Sequence, residues 1–225
     1  MEDRKGDFTG DRKIPLKSPL AGIEKVFVQR AVAWFPRWIE GYHLTLTTIL
    51  WSAGIMAFGF LARGNVHWLW GASLMLVLQW FTDSLDGALG RRRNTGIPRW
   101  GFYMDHFLDF VFMACVFLQY VFLVGEPARY MLVAWAFVYV AIETSSWLAF
   151  AAEGEFKITY LGVGPTEIRA LFVLVNALVV LFGVHWFEKA LPYALGVSVV
   201  LCCVIVFRTQ SHIWRIDMRE KRNRR

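Results

Sequence analysis

The sequence predicts an all-α, polytopic membrane protein with six transmembrane helices and an amphipathic helix ahead of them. The 225-residue chain is 56% hydrophobic and only 19% charged, which is more apolar than an average soluble domain. It also contains six apolar runs near the length of roughly 20 residues that a helix needs to cross the hydrocarbon core. These runs cover residues 44–63, 67–89, 101–124, 127–150, 166–185 and 190–208.

The segment EKVFVQRAVAWFPRWIEGYH, ahead of the first run, carries apolar residues such as Phe27, Trp34 and Trp38 at helical spacing. We expect an amphipathic helix that lies on the cytoplasmic leaflet and bends at Pro36, with a plain juxtamembrane linker as the alternative. The polar residues 1–20 lack the apolar core of a cleaved signal peptide, so the first apolar run is expected to target the chain.

Basic residues determine the predicted orientation. With six spans both termini face the same side, and 21 of the 24 Lys and Arg residues then lie on that side. The positive-inside rule places that side in the cytoplasm. The net charge of +6 mostly reflects this topology, so the predicted partners of the basic regions are membrane lipids and not nucleic acid. The predicted organisation is a cytoplasmic segment 1–43, a transmembrane domain 44–208 and a basic cytoplasmic tail 209–225.

Four aspartates stand where the second run ends and the third begins, in TDSLDGALGRRRNTGIPRWGFYMDHFLDF. Asp83 and Asp86 are three residues apart and Asp105 and Asp109 are four apart, so each pair shares one face of a helix. Ionised carboxylates at membrane depth are costly, and four that converge repel one another. A single Asp pair at a helix end is commonly a solvated cap, but two pairs on neighbouring helices favour a cation site.

The composition of the acid cluster indicates which cation it would hold. Mg²⁺ and Mn²⁺ favour carboxylate oxygens, and several aspartates can bridge two such ions. Zinc is disfavoured because no Cys or His cluster accompanies the acids. We therefore expect two Mg²⁺ or Mn²⁺ ions, an arrangement suited to phosphoryl chemistry. Gly87 and Gly90 would allow a phosphate or nucleoside to approach the helix backbone closely, and Arg91 is best placed to bind a diphosphate.

The strings DSLDGALGR and GFYMDHFLD resemble the signature of the CDP-alcohol phosphotransferase family, DxxDGxxAR followed about eight residues later by GxxxDxxxD. Agreement covers all four aspartates together with Gly87, Arg91 and Gly101. Two features depart from the pattern, because Gly90 replaces the usual Ala and nine residues separate Arg91 from Gly101. Upstream, EGYHLTLTT stands where members often have PNxLT, with Gly41 and Tyr42 in place of Pro and Asn.

The resemblance implies a phospholipid biosynthetic enzyme of the cytoplasmic (inner) membrane, with 44–208 as its catalytic domain. Such an enzyme transfers a phospho-alcohol or phosphatidyl group from a CDP-linked donor to an alcohol or lipid acceptor and releases CMP. The family also implies a homodimer. The shorter strings MDHFLD and GPTEIR resemble the choline and ethanolamine phosphotransferases, which use a CDP-aminoalcohol and diacylglycerol. This favours a lipid acceptor; the alternative is CDP-diacylglycerol with a soluble alcohol.

The resemblance also assigns roles to individual residues. The four aspartates would bind metal, and Gly87, Gly90, Arg91 and Gly101 would hold the donor. Asp109 is the leading candidate for the base that takes the acceptor's proton, and His106 is its competitor, although a packing histidine explains His106 equally well.

Three further residues are candidate acceptor or accessory residues. Glu143 lies inside the fourth span, where an acid is a functional hypothesis by default. It could equally form a hydrogen bond with Thr144, Ser145 or a neighbouring helix. Glu167 and Arg169 stand at the start of the fifth span, where Glu167 could cap the helix with Thr166 and Arg169 could bind an acceptor phosphate or pair with Glu167.

A small cation transporter is the alternative from another functional class. Its charges would be distributed along a path through several helices. The four aspartates instead cluster at one mouth of the predicted bundle, which favours the enzyme.

Overall fold

The computed structural model describes residues 21–153 and 164–224, and across these two ranges the chain is helical without strands. The helices are α1 (Ala21–Ala31), α2 (Gly41–Leu61), α3 (Leu69–Arg93), α4 (Pro98–Val121), α5 (Ala128–Glu153), α6 (Pro165–Phe182) and α7 (Val184–Asn223). Short 3₁₀ turns at Val32–Trp34 and Val66–Trp68 follow α1 and precede α3. The all-α prediction is confirmed for the described residues.

Five helices of the described chain, α2, α4, α5, α6 and α7, are long and apolar enough to cross a membrane. Helix α3, the second predicted span, has 25 residues and so has the length. Its second half carries Gln79, Asp83 and Asp86, which lower its hydropathy. The helices therefore indicate an integral membrane protein, while a sixth span through α3 stays a prediction.

Helix α1 overlaps only the first part of the segment where an amphipathic helix was expected. Its helical turns end at Trp34, so the predicted bend of a helix at Pro36 is not found. The ring of Phe27 stacks on Trp80 of α3 with centroids 5.7 Å apart and lies 5.9 Å from Phe81. These contacts attach α1 to the second half of α3. Trp34 and Trp38 remain 85% and 75% exposed, as an interfacial position would require, although that position stays a prediction.

Helices α2 and α3 run antiparallel and approach each other closely. A Cβ atom at Gly41 would lie 2.5 Å from the main-chain oxygen of Asp86, so only glycine allows the first turn of α2 this close to α3. Near the opposite end, a Cβ atom at Gly71 would lie 2.6 Å from the ring of Phe58. The start of α2 and the end of α3 therefore lie at the same end of the bundle.

The middle of the bundle combines an apolar core with a buried polar network. Phe112 and Val116 of α4 and Phe172 of α6 belong to the apolar cluster. The Tyr120 hydroxyl donates to Asn176 Oδ1 at 2.6 Å, and the Asn176 amide donates to Ser73 Oγ at 3.1 Å. Satisfied hydrogen bonds of this kind join helices where no water is available, and these three residues connect α3, α4 and α6.

Helix α7 continues without a break across the predicted boundary at residue 208. Its 40 residues correspond to a rod of about 60 Å, twice the hydrocarbon thickness of a bilayer. His212 in its last third lies 3.5 Å from Glu153 at the end of α5, which is the end of the bundle that carries the acids. The predicted basic tail is therefore helical as far as Asn223, as a continuation of α7.

Candidate active site

Three of the four predicted aspartates meet in space. Asp83 of α3 and Asp105 and Asp109 of α4 each place a carboxylate oxygen within 4.8 Å of the other two. The spacings of three and four residues had predicted shared helix faces. Helices α3 and α4 both pack on α2, and this arrangement brings the two faces together. All three donors are carboxylate oxygens, the ligands that Mg²⁺ and Mn²⁺ prefer, so the residues fit a divalent cation.

Asp86 lies outside this three-acid group and contacts other donors. Its Oδ2 accepts a hydrogen bond from the Thr45 hydroxyl at 2.6 Å, and its Oδ1 accepts from the main-chain N–H of Gly87. Asp86 lines a cleft together with Asp105, so it borders the cluster on the cleft side. A role of Asp86 as a metal ligand stays a prediction. Thr45 was not among the predicted site residues, although it occupies the final position of the PNxLT-like string.

Arg169 places a positive charge in direct contact with two of the acids. Its Nη2 atom lies 3.0 Å from Asp83 Oδ2 and 2.9 Å from Asp109 Oδ1, and the residue is only 7% exposed. The sequence had suggested an acceptor phosphate or Glu167 as its partner. Glu167 instead accepts a hydrogen bond from the Gly164 N–H at 3.0 Å and so caps the start of α6.

A buried amide also contacts the cluster. The Gln79 amide nitrogen donates to Asp109 Oδ1 at 2.9 Å, so this single oxygen accepts from both Gln79 and Arg169. Gln79 is fully buried. Sequence reasoning missed it, although a polar residue one helical turn before Asp83 in an apolar run was a usable signal.

Helix α5 contributes two polar side chains next to Asp109. The Tyr139 hydroxyl and the Glu143 carboxylate form a hydrogen bond one helical turn apart. Glu143 also lies close enough to Asp109 for their charges to interact. The predicted intramembrane acid therefore belongs to the surroundings of the cluster, and its hydrogen-bond partner is Tyr139.

His106 is fixed in one tautomer by its own helix. Its Nδ1 lies 2.6 Å from the main-chain oxygen of Phe102. A carbonyl oxygen can only accept, so Nδ1 carries the proton and the lone pair of the neutral ring is on Nε2. The ring lines the same cleft as Asp105, and its Nδ1 is 4.0 Å from Asp105 Oδ2. The structure thus places His106 beside the acids.

The cleft next to the acids is formed by the start of α2, the end of α3, the following loop and the start of α4. It is open at the surface, and its wall combines acidic, basic and aromatic side chains, which suits a polar small-molecule ligand. A Cβ atom at Gly87 would lie 3.2 Å from Arg91 Nη1, so the guanidinium folds over this glycine. Nothing lies within 4 Å of a Cβ built on Gly101, which leaves open space above the start of α4.

Gly90 has a structural partner in the loop that is one residue longer than the family pattern. A Cβ atom at Gly90 would lie 3.2 Å from the Cα of Gly96, and the Thr95 N–H donates to the Gly90 oxygen at 3.2 Å. Asn94 reverses the chain between them with a left-handed φ of 55°. The two departures from the signature are therefore in direct contact, because the longer loop packs on the position where Ala is usual.

Arg93 connects the site to the segment before α2. Its guanidinium donates to the main-chain oxygens of Phe35, at 2.8 Å, and Pro36, at 3.0 Å, and also to that of Ile39. Sequence analysis had only counted this residue among the 21 basic residues of the predicted cytoplasmic side. Its contacts hold the chain that leads from α1 into α2 against the end of α3.

Comparisons with known proteins bear on this site. A family model described as CDP-alcohol phosphatidyltransferase matches residues 43–209, which include every acid of the site. The chain is also 37% identical over 108 residues to inner membrane protein YnjF of Escherichia coli (strain K12). That alignment covers 48% of this chain and 49% of the relative, so the chain spans about half the length of the curated protein it matches.

Proposed function

The chain belongs to the CDP-alcohol phosphatidyltransferase family, whose members are transferases for substituted phosphate groups, and on this premise we propose a specific reaction for it. It transfers a phospho-alcohol group from a CDP-linked donor to a hydroxyl of a lipid acceptor and releases CMP. The observation that carries the proposal is the three-acid group next to an open cleft.

Asp83, Asp105 and Asp109 hold divalent cations in this proposal, with Asp86 as a further ligand from the cleft side. Members of the family generally use such metals. When bound, the cations would neutralise the charge of the diphosphate and orient it for displacement. Thr45 orients Asp86 through its 2.6 Å hydrogen bond, and Gln79 orients Asp109 through its 2.9 Å hydrogen bond.

The donor binds in the cleft. Arg91, folded over Gly87, lies where it can bind the diphosphate, and the open space above Gly101 accommodates the nucleotide. The cleft wall also includes Tyr42 and Trp100, whose rings are 6.4 Å apart in an edge-to-face arrangement. An aromatic wall of this kind provides a surface for a nucleobase.

His106 accepts the proton of the attacking hydroxyl through Nε2. Its Nδ1 donates to Phe102, which leaves the lone pair on Nε2, and its ring lines the cleft. Asp109 was the leading candidate from sequence, but its Oδ1 already accepts hydrogen bonds from Arg169 and Gln79. We therefore assign Asp109 to metal binding and His106 to proton transfer.

The acceptor reaches the site from between α4 and α5. Phe102 packs on both His106, at 4.4 Å between centroids, and Phe150 of α5, at 5.2 Å, so His106 lies on the side of α4 that faces α5. Glu143 and Tyr139 of α5 lie near Asp109, deeper in the bundle. Both helices are apolar enough to span a bilayer, so an acceptor on this route arrives through lipid, which favours a diacylglycerol-like alcohol.

The membrane arrangement proposed for the enzyme has six spans, with α3 as the sixth. Both termini and the acid cluster face the cytoplasm, and α1 lies at the interface. The name of the bacterial relative and the apolar helices support the inner membrane as its location. We also propose that the enzyme is a homodimer, as the family resemblance implies.

The acceptor preference is tested with purified protein in detergent and Mg²⁺. A CDP-aminoalcohol is offered with diacylglycerol, and CDP-diacylglycerol is offered separately with serine, glycerol phosphate or inositol phosphate. We expect acceptor-dependent CMP release with the first pair. CMP release with the second set alone would support a transferase but would show that the donor is CDP-diacylglycerol and the acceptor is a soluble alcohol. Absence of CMP release from both donors would overturn the proposed reaction.

A further inference from the structure

We propose that Arg169 is a resident counter-cation of the acid cluster, which binds Asp83 and Asp109 while no metal is present and competes with metal for their oxygens. The inference rests on the proposed metal dependence and adds a competitor that is part of the chain. Its consequence is that metal affinity depends on how readily Arg169 releases the two carboxylates.

The contacts of Arg169 define the competition. One nitrogen, Nη2, lies 3.0 Å from Asp83 and 2.9 Å from Asp109, so it bridges a helix α3 acid and a helix α4 acid. These are two of the three side chains that a cation would use. A guanidinium and a divalent cation repel each other. The two therefore cannot both be in direct contact with these carboxylate oxygens at the same time.

Burial makes a counter-charge necessary at this position. The carboxylate oxygens of Asp83 and Asp109 lie within 4.8 Å of each other between helices that both pack on α2, and carboxylates this close are costly unless a positive charge lies between them. Arg169 is only 7% exposed, and it supplies that positive charge in the absence of metal. It therefore stabilises the metal-free fold.

The first turn of α6 holds Arg169 ready for this role. The Gly164 N–H donates to Glu167, which caps the helix, and the Trp80 indole nitrogen of α3 donates to the Thr166 hydroxyl at 3.3 Å. The backbone around Arg169 is therefore fixed to α3. Release of the carboxylates requires only a movement of the long side chain.

Gln79 keeps Asp109 in place during such a release. Its amide donates to the same Oδ1 atom that Arg169 contacts, at 2.9 Å. The neutral amide orients the carboxylate without competing for charge. The site can therefore exchange its cation while the carboxylate of Asp109 stays oriented.

The test measures Mn²⁺ binding to the purified full chain in detergent by electron paramagnetic resonance of free Mn²⁺. We expect Arg169→Gln to bind Mn²⁺ roughly tenfold more tightly than the wild type, a magnitude typical of residues that support a metal site. Arg99→Gln removes the same charge from an exposed position in the first turn of α4 and is expected to leave the affinity unchanged. Equal or weaker binding by Arg169→Gln would overturn the inference.

Thermal unfolding supplies a second readout that a merely structural role would not produce. In EDTA, Arg169→Gln should unfold at a lower temperature than the wild type, and saturating Mn²⁺ should raise its midpoint by more than it raises that of the wild type. Equal increases on Mn²⁺ addition would contradict competition. If neither protein binds Mn²⁺, the proposed metal dependence fails as well. If both proteins bind Mn²⁺ with equal affinity, only the proposed competition by Arg169 fails.

Arg169→Lys covers the case in which Arg169→Gln does not fold. The ammonium keeps the charge but reaches less far than Nη2 and lacks the guanidinium geometry. We expect its Mn²⁺ affinity to lie above that of the wild type. An affinity equal to that of the wild type would count against the proposal.

Discussion

The Nδ1 atom of His106 lies 2.6 Å from the main-chain oxygen of Phe102, one helical turn earlier. This bond sets the tautomer and the orientation of the ring beside Asp105. The sequence alone did not distinguish a catalytic from a packing role for His106. The hydrogen bond leaves the lone pair on Nε2, so that atom is the candidate proton acceptor.

His106→Ala should lower kcat by roughly two to four orders of magnitude, the range for loss of a general base, with unchanged Mn²⁺ affinity. Added imidazole should restore part of the rate, because a small base can enter the space that the ring leaves. CMP release at steady state measures both effects. His67→Ala, on the exposed turn before α3, is the control for loss of a histidine elsewhere.

Asp109→Asn separates the two candidates for the base. We expect it to abolish turnover and weaken Mn²⁺ binding in a protein that remains folded, because Asp109 is assigned to metal. Normal Mn²⁺ binding without turnover in Asp109→Asn, together with a nearly normal rate in His106→Ala, would return the role of base to Asp109.

Thr45→Val should lower kcat/KM by about tenfold, the lower range for the loss of a hydrogen bond that orients a metal-site carboxylate. The substitution preserves the shape of the side chain but removes the 2.6 Å hydrogen bond to Asp86. Thr47→Val is the matched control on the same helix, since the Thr47 hydroxyl donates to the main-chain oxygen of Leu44. Equal effects of the two variants would show that Thr45 has no particular role at the site.

Gly41→Ala should destabilise the protein by about 1–3 kcal/mol, the usual cost of overpacking, and reduce activity with it. The new Cβ atom would lie 2.5 Å from the main-chain oxygen of Asp86, so α2 and α3 must separate where the cleft begins. Thermal unfolding and CMP release measure the two effects. Gly196→Ala, in the interior of α7 where nothing lies within 4 Å of the Cβ, should not destabilise the protein and should leave CMP release unchanged.

Arg93→Met should increase the proteolytic cleavage of the segment between α1 and α2 while leaving Mn²⁺ affinity intact. The substitution keeps an unbranched side chain but removes the hydrogen bonds to Phe35, Pro36 and Ile39. Arg92→Met, at the neighbouring exposed position, is the control. If both variants are cleaved at the wild-type rate, the contacts of Arg93 do not hold this segment.

The sequence predicted those parts of the site that follow from local periodicity. Spacings of three and four residues indicated which aspartates share a helix face, and Asp83, Asp105 and Asp109 do meet. Local spacing is sufficient in such cases because the partners lie on one helix or on two helices joined by a short loop.

Contacts between distant helices could not be predicted in this way. Arg169 is 60 residues from Asp109, and its choice of partner depends on the rotation of α6 against α3 and α4. The same holds for the pairing of Thr45 with Asp86. Hydropathy also has a limit at α3, where the residues that build the site are those that lower the apolar character of a predicted span.

The most direct test of the central claim is CMP release from a CDP-linked donor by the purified wild type and by Asp105→Asn, each with Mg²⁺ and with EDTA. We predict that EDTA abolishes release, that Mg²⁺ restores it, and that Asp105→Asn stays about a hundredfold or more below the wild type, as expected when a metal site is lost. Asp217→Asn, an exposed acid on α7, should behave like the wild type. Release that persists in EDTA, or in Asp105→Asn at the wild-type rate, would contradict a metal-dependent transferase built on this acid cluster.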